Sequence, residues 1–227
     1  MIKIDYNGNR QIMESFYDHL GLAEEFEKDN IYLERAFNEI RDLWIANFNK
    51  IDKVNYLLIA ESPLWGHKKK YIYNPETNNT QFFYRSDLGE ILNFDISDKK
   101  KFIEVCNEIG LLIVDISPFP LNIKDTKINY AKNENGSVKL SKDKYRKLVS
   151  LTIPTFFERK IKLVGHKRSS DINVFFRYTR VKNAFQDLIS EVLIENGLIK
   201  KQEDISDIAQ RGGGIDRIKF SNIINVK

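Results

Sequence analysis

The sequence has a single cysteine, Cys106, among its 227 residues. One thiol excludes an internal disulfide and any cysteine-built zinc or iron–sulfur site. Its three histidines fall in no paired ligand spacing. Proline and glycine are sparse, at five and eleven; no stretch reads as an interdomain linker, and there is neither a repeat nor a low-complexity block. No apolar run approaches the ~20 residues that cross a bilayer. Residues 1–15 are polar and lack the apolar segment of a signal peptide. The chain contains no G-x-S-x-G elbow and no phosphate loop, which weighs against the common small-molecule hydrolases and transferases. Charge of one sign is also scarce: a net +4 is too small to argue for nucleic acid by itself. These absences leave one soluble domain over residues 1–227, cytoplasmic, with no membrane association and expected as a monomer.

What is present suits a buried core, since 42% of the residues are hydrophobic. Phe16, Leu20, Leu22 and Phe26, then Leu33, Phe37, Ile40, Leu43 and Trp44, are spaced as helix faces and predict N-terminal helices over about 9–47. Residues 54–60, VNYLLIA, predict a buried strand. A helix over about 97–108 leads to a second strand at 111–116. A third strand is expected at 161–164, followed by a long amphipathic helix over about 173–195 that stops near Gly197. A weak strand near Ile205 and a short helix from about Ile215 close the chain. Buried strands alternating with helices predict an α/β fold, a three-layer α/β/α sandwich around a mainly parallel four-stranded sheet. Ligands of such sheets sit beyond the carboxyl ends of the strands. Those ends read Glu61-Ser62-Pro63, Ser117-Pro118-Phe119-Pro120 and Gly165-His166-Lys167-Arg168. Residues 121–147 add eight Lys/Arg against three Asp/Glu, a composition that fits either a phosphate-tracking segment or a solvated loop.

Five segments carry a family resemblance: Ala60-Glu61-Ser62-Pro63, then Gln81-Phe82-Phe83-Tyr84-Arg85, the run from Gly110 to Pro120, Ile161 to Gly165 in the place of the family's third strand, and Arg211-Gly212-Gly213-Gly214. Together they resemble the uracil-DNA glycosylase superfamily. The Pro-x-Pro after Asp115 is similar to the mismatch-specific thymine/uracil branch, and the glutamate of the first motif to the thermophilic branch. The resemblance implies that DNA is the partner and that a base is flipped out of the stack into a pocket. It implies a catalytic carboxylate, Glu61, that aims water and steadies the positive charge developing on the sugar, with Ser62 helping to hold the water. Phe82 would stack on the extruded base, and Asp115 and Ser117 would read it. Pro63 and Pro118 would press on the DNA backbone. Arg211, Gly212 and Gly213 would cradle a phosphate, with contacts from His67, His166 and Lys167. Other roles fit the same residues: Glu61 as a strand-end carboxylate paired with a lysine, Phe82 and Phe83 as core, the prolines as strand ends, the histidines as surface.

Three departures from the family pattern refine this. The family's last motif carries a histidine, whereas Ala209-Gln210-Arg211-Gly212 has none, so Arg211 supplies that contact or it is missing. One cysteine cannot hold the thermophilic branch's iron–sulfur cluster, and no cofactor or metal is expected. Asp115 occupies the strand position where uracil readers carry asparagine. An ionised carboxylate only accepts hydrogen bonds, which suits the amino group of cytosine rather than uracil. Excising ordinary cytosine would destroy the host genome, so the expected substrate is a modified cytosine, as found in some viral DNA. The other role that fits Asp115 is to face away and cap a turn or pair with Lys124. The alternatives to a glycosylase are a non-catalytic DNA- or protein-binding member of the same fold and an unrelated small-molecule enzyme on a parallel sheet.

Overall fold

The computed structural model describes residues 2–77, 85–134, 136–210 and 215–224. The strands are β1 (Val54–Ala60), β2 (Leu111–Asp115), β3 (Ile128–Asn129), β4 (Val138–Lys139), β5 (Arg168–Phe176) and β6 (Ile205–Ser206). The helices are α1 (Tyr6–His19), α2 (Ala23–Lys50), α3 (Arg85–Leu92), α4 (Lys99–Ile109), α5 (Lys142–Thr152), α6 (Glu158–Gly165), α7 (Thr179–Glu195) and α8 (Arg217–Ile224). β1, β2, β5 and β6 form one all-parallel sheet in the order β2-β1-β5-β6, flanked by helices as a three-layer α/β/α sandwich. β2 is buried along its whole length, as a strand covered on both faces must be. Trp44 of α2 is buried and its Nε1 donates to Ile113 O at 3.0 Å, fixing that helix to the sheet. Phe220 of α8 packs edge-on against Phe175 of β5, with ring centroids 5.8 Å apart. No helix among the described residues is long and apolar enough to cross a membrane.

The turn from α4 into β2 sets the sheet's register. Asp98 caps α4 by accepting from Lys101 N at 2.9 Å, and Gly110 ends the helix at φ +76°. The Gly110 carbonyl then accepts from Asn55 N (2.9 Å) and Tyr56 N (3.1 Å) of β1. A Cβ at this position would run into the Lys53 carbonyl. Gly110→Ala is therefore expected to cost roughly 2–4 kcal/mol. In a chain of this length that lowers Tm by about 5–15 °C in a thermal melt. An unchanged Tm would mean that the strand start is not under this constraint.

The third strand lies later than expected. Residues 161–164 belong to helix α6, and the strand is β5, Arg168–Phe176. Consequently α7 begins at Thr179, not near 173. The chain reaches α6 through Pro154. That proline sits in a π turn, Ile153–Phe157, where Glu158 N reaches back to Ile153 O, and this wider turn carries α5 on into α6. Proline within a regular helix would clash and break it; the π turn relieves the clash. The basic 121–147 segment is also more built than a solvated loop. Leu121, Ile128 and Leu140 are buried, and Ser137 Oγ donates to Thr126 O at 2.8 Å. Asp29 of α2 accepts from both Tyr17 Oη and Lys127 N, tying the segment to the N-terminal helices.

Candidate functional site

Register brings three strand ends level. Ala60 lies opposite Asp115 across β1 and β2, and Ile59 lies opposite Phe176 across β1 and β5. The bonding continues past the strands: Ser117 N donates to Glu61 O at 3.0 Å and Arg177 N to Ile59 O at 2.8 Å. Glu61, Asp115 and Arg177 thus emerge side by side at the carboxyl edge of the sheet. A cavity of about 470 Å³ opens there, within the range of small-ligand sites.

Asp115 forms the buried end of this cavity, and its Oδ2 has no hydrogen-bond partner. Lys160 of α6, whose charge acts on Asp115, is fully buried, its Nζ likewise without a hydrogen-bond partner. The ammonium lies 4.1 Å from the ring centroid of Phe156 and 4.7 Å from that of Trp44. Burial pushes the Asp115 carboxyl up to about 6, with Lys160 and the Tyr71 hydroxyl pulling it down and Glu61 pushing it further up. Burial pushes the Lys160 amine down to about 8, opposed by Asp115. At neutral pH the two form a buried pair of opposite charges. Lys160 does not line the cavity.

Glu61 stands closer to solvent, its side chain 16% exposed, paired with the largely exposed Arg180 at the start of α7. Burial raises the Glu61 carboxyl, and the Arg180 charge opposes the rise. Arg180→Gln is therefore expected to raise the Glu61 midpoint further in a carboxyl NMR titration. A midpoint that stays put or falls would show that the ion pair does not persist in solution.

Aromatic groups wall the cavity. Tyr130 Oη donates to Phe119 O at 2.9 Å and shares a 3.1 Å hydrogen bond with Ser117 Oγ, while its ring packs on Tyr145. Tyr178 carries the guanidinium of Arg177 over its ring at 4.3 Å and that of Arg180 at 5.4 Å. Lys99, buried on α4, donates to Tyr71 O and Thr77 Oγ1 and so fastens the segment that presents Tyr71; burial pushes its amine down to about 8. Lys70, Lys99, Arg177 and Arg180 give the lining four cations against the two carboxylates, a balance that favours an anionic ligand.

Of the residues expected at the site, Glu61, Ser62, Pro63 and Asp115 line the cavity together. Asp115 faces Lys160 rather than Lys124. Ser117 and Pro118 are buried beside the cavity but do not line it; Ser117 braces Tyr130. His67 is exposed in the turn after the first loop and is no part of the lining. His166 and Lys167 are at the opposite end of the sheet, because β5 starts, rather than ends, there. Lys167 Nζ donates to the carbonyls of Phe48 (3.0 Å) and Ile51 (2.6 Å), closing the end of α2. Phe82, Arg211, Gly212 and Gly213 lie outside the described residues. Set against known protein families, curated proteins and solved structures, the chain matches none.

Several lining residues escaped the sequence reading: Tyr71, Lys99, Asn122, Tyr130, Arg177 and Arg180. Arg177 and Tyr178 had a signal, for they follow the buried Val174-Phe175-Phe176 as Glu61 follows β1. Lys160 had one as well. Phe156, Phe157, Ile161 and Val164 are buried along one helix face, and position 160 falls within it.

Proposed function

We propose that this protein is a DNA N-glycosylase that accepts an extruded cytosine-type base, with the cavity at the carboxyl edge of the sheet as the base pocket. The observation that carries the reading is the sharing of one cavity by two carboxylates of different character. Glu61 is near solvent with a cation at its side; Asp115 is buried with an unsatisfied oxygen. Glu61 suits the role of orienting water and stabilising positive charge on the sugar as the glycosidic bond breaks. Asp115 suits the role of accepting from an exocyclic amino group. The tyrosines offer ring faces for a base, and the four cations suit flanking phosphates. A cavity of about 470 Å³ has room for more than a bare pyrimidine, consistent with a modified cytosine. The buried lone thiol fits a cytoplasmic protein, and the product would be an abasic site.

The pairing of Arg180 with Glu61 is the observation that favours a second reading, a non-catalytic DNA-binding module of the same fold. One experiment separates the two. The purified protein is incubated with labelled oligonucleotides carrying uracil, cytosine or a panel of modified cytosines, and abasic sites are cleaved with alkali. Strand scission on a cytosine-type base supports the glycosylase. No scission on any base, with salt-sensitive DNA binding that survives Glu61→Gln, supports the binding module.

A further inference from the structure

We propose that Lys160 is a positioning residue that holds Asp115 as an ionised, acceptor-only group at the end of the cavity, and that the pocket thereby prefers a ring bearing an amino group over one bearing a carbonyl. The selectivity rests on the reading of the cavity as a base pocket; the relation between the two charges does not. Both heads are buried, and neither Lys160 Nζ nor Asp115 Oδ2 has a hydrogen-bond partner. An uncompensated buried ammonium is costly, and the ring faces of Phe156 and Trp44 offset only part of that cost. The opposite charge it faces is Asp115.

Lys160 gives an ionised Asp115 its largest stabilisation, ahead of the Tyr71 hydroxyl. Glu61, at the end of β1, carries the same sign. Tyr71 and Tyr73 approach from the segment after β1, Tyr130 from beyond β3, and Tyr145 from α5. These are neutral phenols, all with hydroxyls that burial pushes upward. The nearby Lys99 amine is engaged by Tyr71 O and Thr77 Oγ1. With Lys160 charged, Asp115 offers only lone pairs, which accept from an amino group and repel a carbonyl oxygen. Without it, burial leaves the carboxyl neutral, with an O–H that can donate to a carbonyl. Cytosine and uracil differ in this way at C4.

Lys160→Met keeps the length and the ring contacts and removes the charge. In ligand-free protein followed by carboxyl NMR, the Asp115 midpoint is expected to rise by about 1–3 pH units. The ratio of affinities for deoxycytidine over deoxyuridine at pH 7, read by ligand-observed NMR, is expected to fall by about tenfold or more. An unmoved midpoint overturns the charge relation. A raised midpoint with an unchanged ratio, or no binding of either nucleoside to the native protein, overturns the selectivity. Should Lys160→Met not fold, the reciprocal variant Asp115→Asn serves: the Lys160 midpoint, followed by ¹⁵N lysine NMR, is expected to fall, and no movement overturns the proposal. Absence of base release by the native protein on every oligonucleotide would sink the glycosylase reading while leaving the titration result standing.

Discussion

Glu61→Gln is expected to slow base release by about 10²–10⁴-fold while leaving DNA affinity nearly unchanged. The substitution keeps the shape of the side chain beside Arg180 and removes the negative charge that would stabilise the sugar cation and polarise water. A loss confined to the chemical step is what removal of an interaction made only in the transition state produces. On the glycosylase reading the native protein should also show a displaced acid limb. Glu61 must be ionised to act, and burial has raised its carboxyl above the ordinary 4.5. Activity should therefore fade, as the pH drops, at a higher pH than an ordinary glutamate would give. Arg180→Gln removes the charge that opposes the rise, so it should carry that limb higher still. Single-turnover rates on the best oligonucleotide across pH test both statements. A Glu61→Gln variant with the native rate would mean that another group carries the chemistry.

Much of this site was legible because strand ends are punctuated. Val54–Ala60 is apolar apart from Asn55 and is followed at once by Glu61 and Ser62, then Pro63; Leu111–Asp115 runs similarly into Ser117 and Pro118. In a parallel sheet such breaks are the carboxyl edge, so two of the three strand ends could be read without knowing the topology. The third could not. Residues 161–164 read as a strand because they are a short apolar-rich run that ends at Gly165, whereas they belong to the helical path that the π turn at Ile153–Phe157 carries past Pro154. That shifted the expected strand by half a dozen residues or more, and it moved His166 and Lys167 from the wrong end of β5 into the expected site. Lys160 was hidden for a different reason. In the run Glu158-Arg159-Lys160-Ile161-Lys162 it reads as one surface charge among several, and only its helical phase with Phe156, Phe157 and Val164 buries it. Local composition finds where the chain changes direction. It does not reveal which of several like charges the tertiary fold turns inward.

That inward charge should leave a trough in the pH dependence of stability. Asp115 is raised from 3.8 to about 6 in the fold, so between those values the folded protein keeps a proton that the unfolded chain has released. Stability contributed by this group then falls as the pH rises through that window. Lys160 is lowered from 10.5 to about 8, so between those values the unfolded chain keeps a proton that the folded protein has released. Stability contributed by this group rises with pH there. The pair therefore contributes least between about pH 6 and 8, where both groups are charged. In Asp115→Asn combined with Lys160→Met neither group titrates, and all other residues cancel when the variant is compared with the native chain. The double variant is expected to be equal or more stable by up to about 4 kcal/mol at pH 7, with the difference shrinking toward acid and toward alkali. Asp115→Asn alone strands the ammonium and should cost roughly 3–5 kcal/mol at pH 7, a loss that lessens as the pH rises and the amine gives up its proton. Denaturant unfolding of the three proteins across pH measures all of this. A difference that does not vary with pH, or a single variant as stable as the native chain, would mean that the two charges do not confront each other. If the trough is present, the fold sustains a costly pair of charges at the buried end of its cavity when neutral side chains of similar size would be more stable there. Stability then gives no reason for the pair to exist, and a requirement of the ligand for a charged acceptor does.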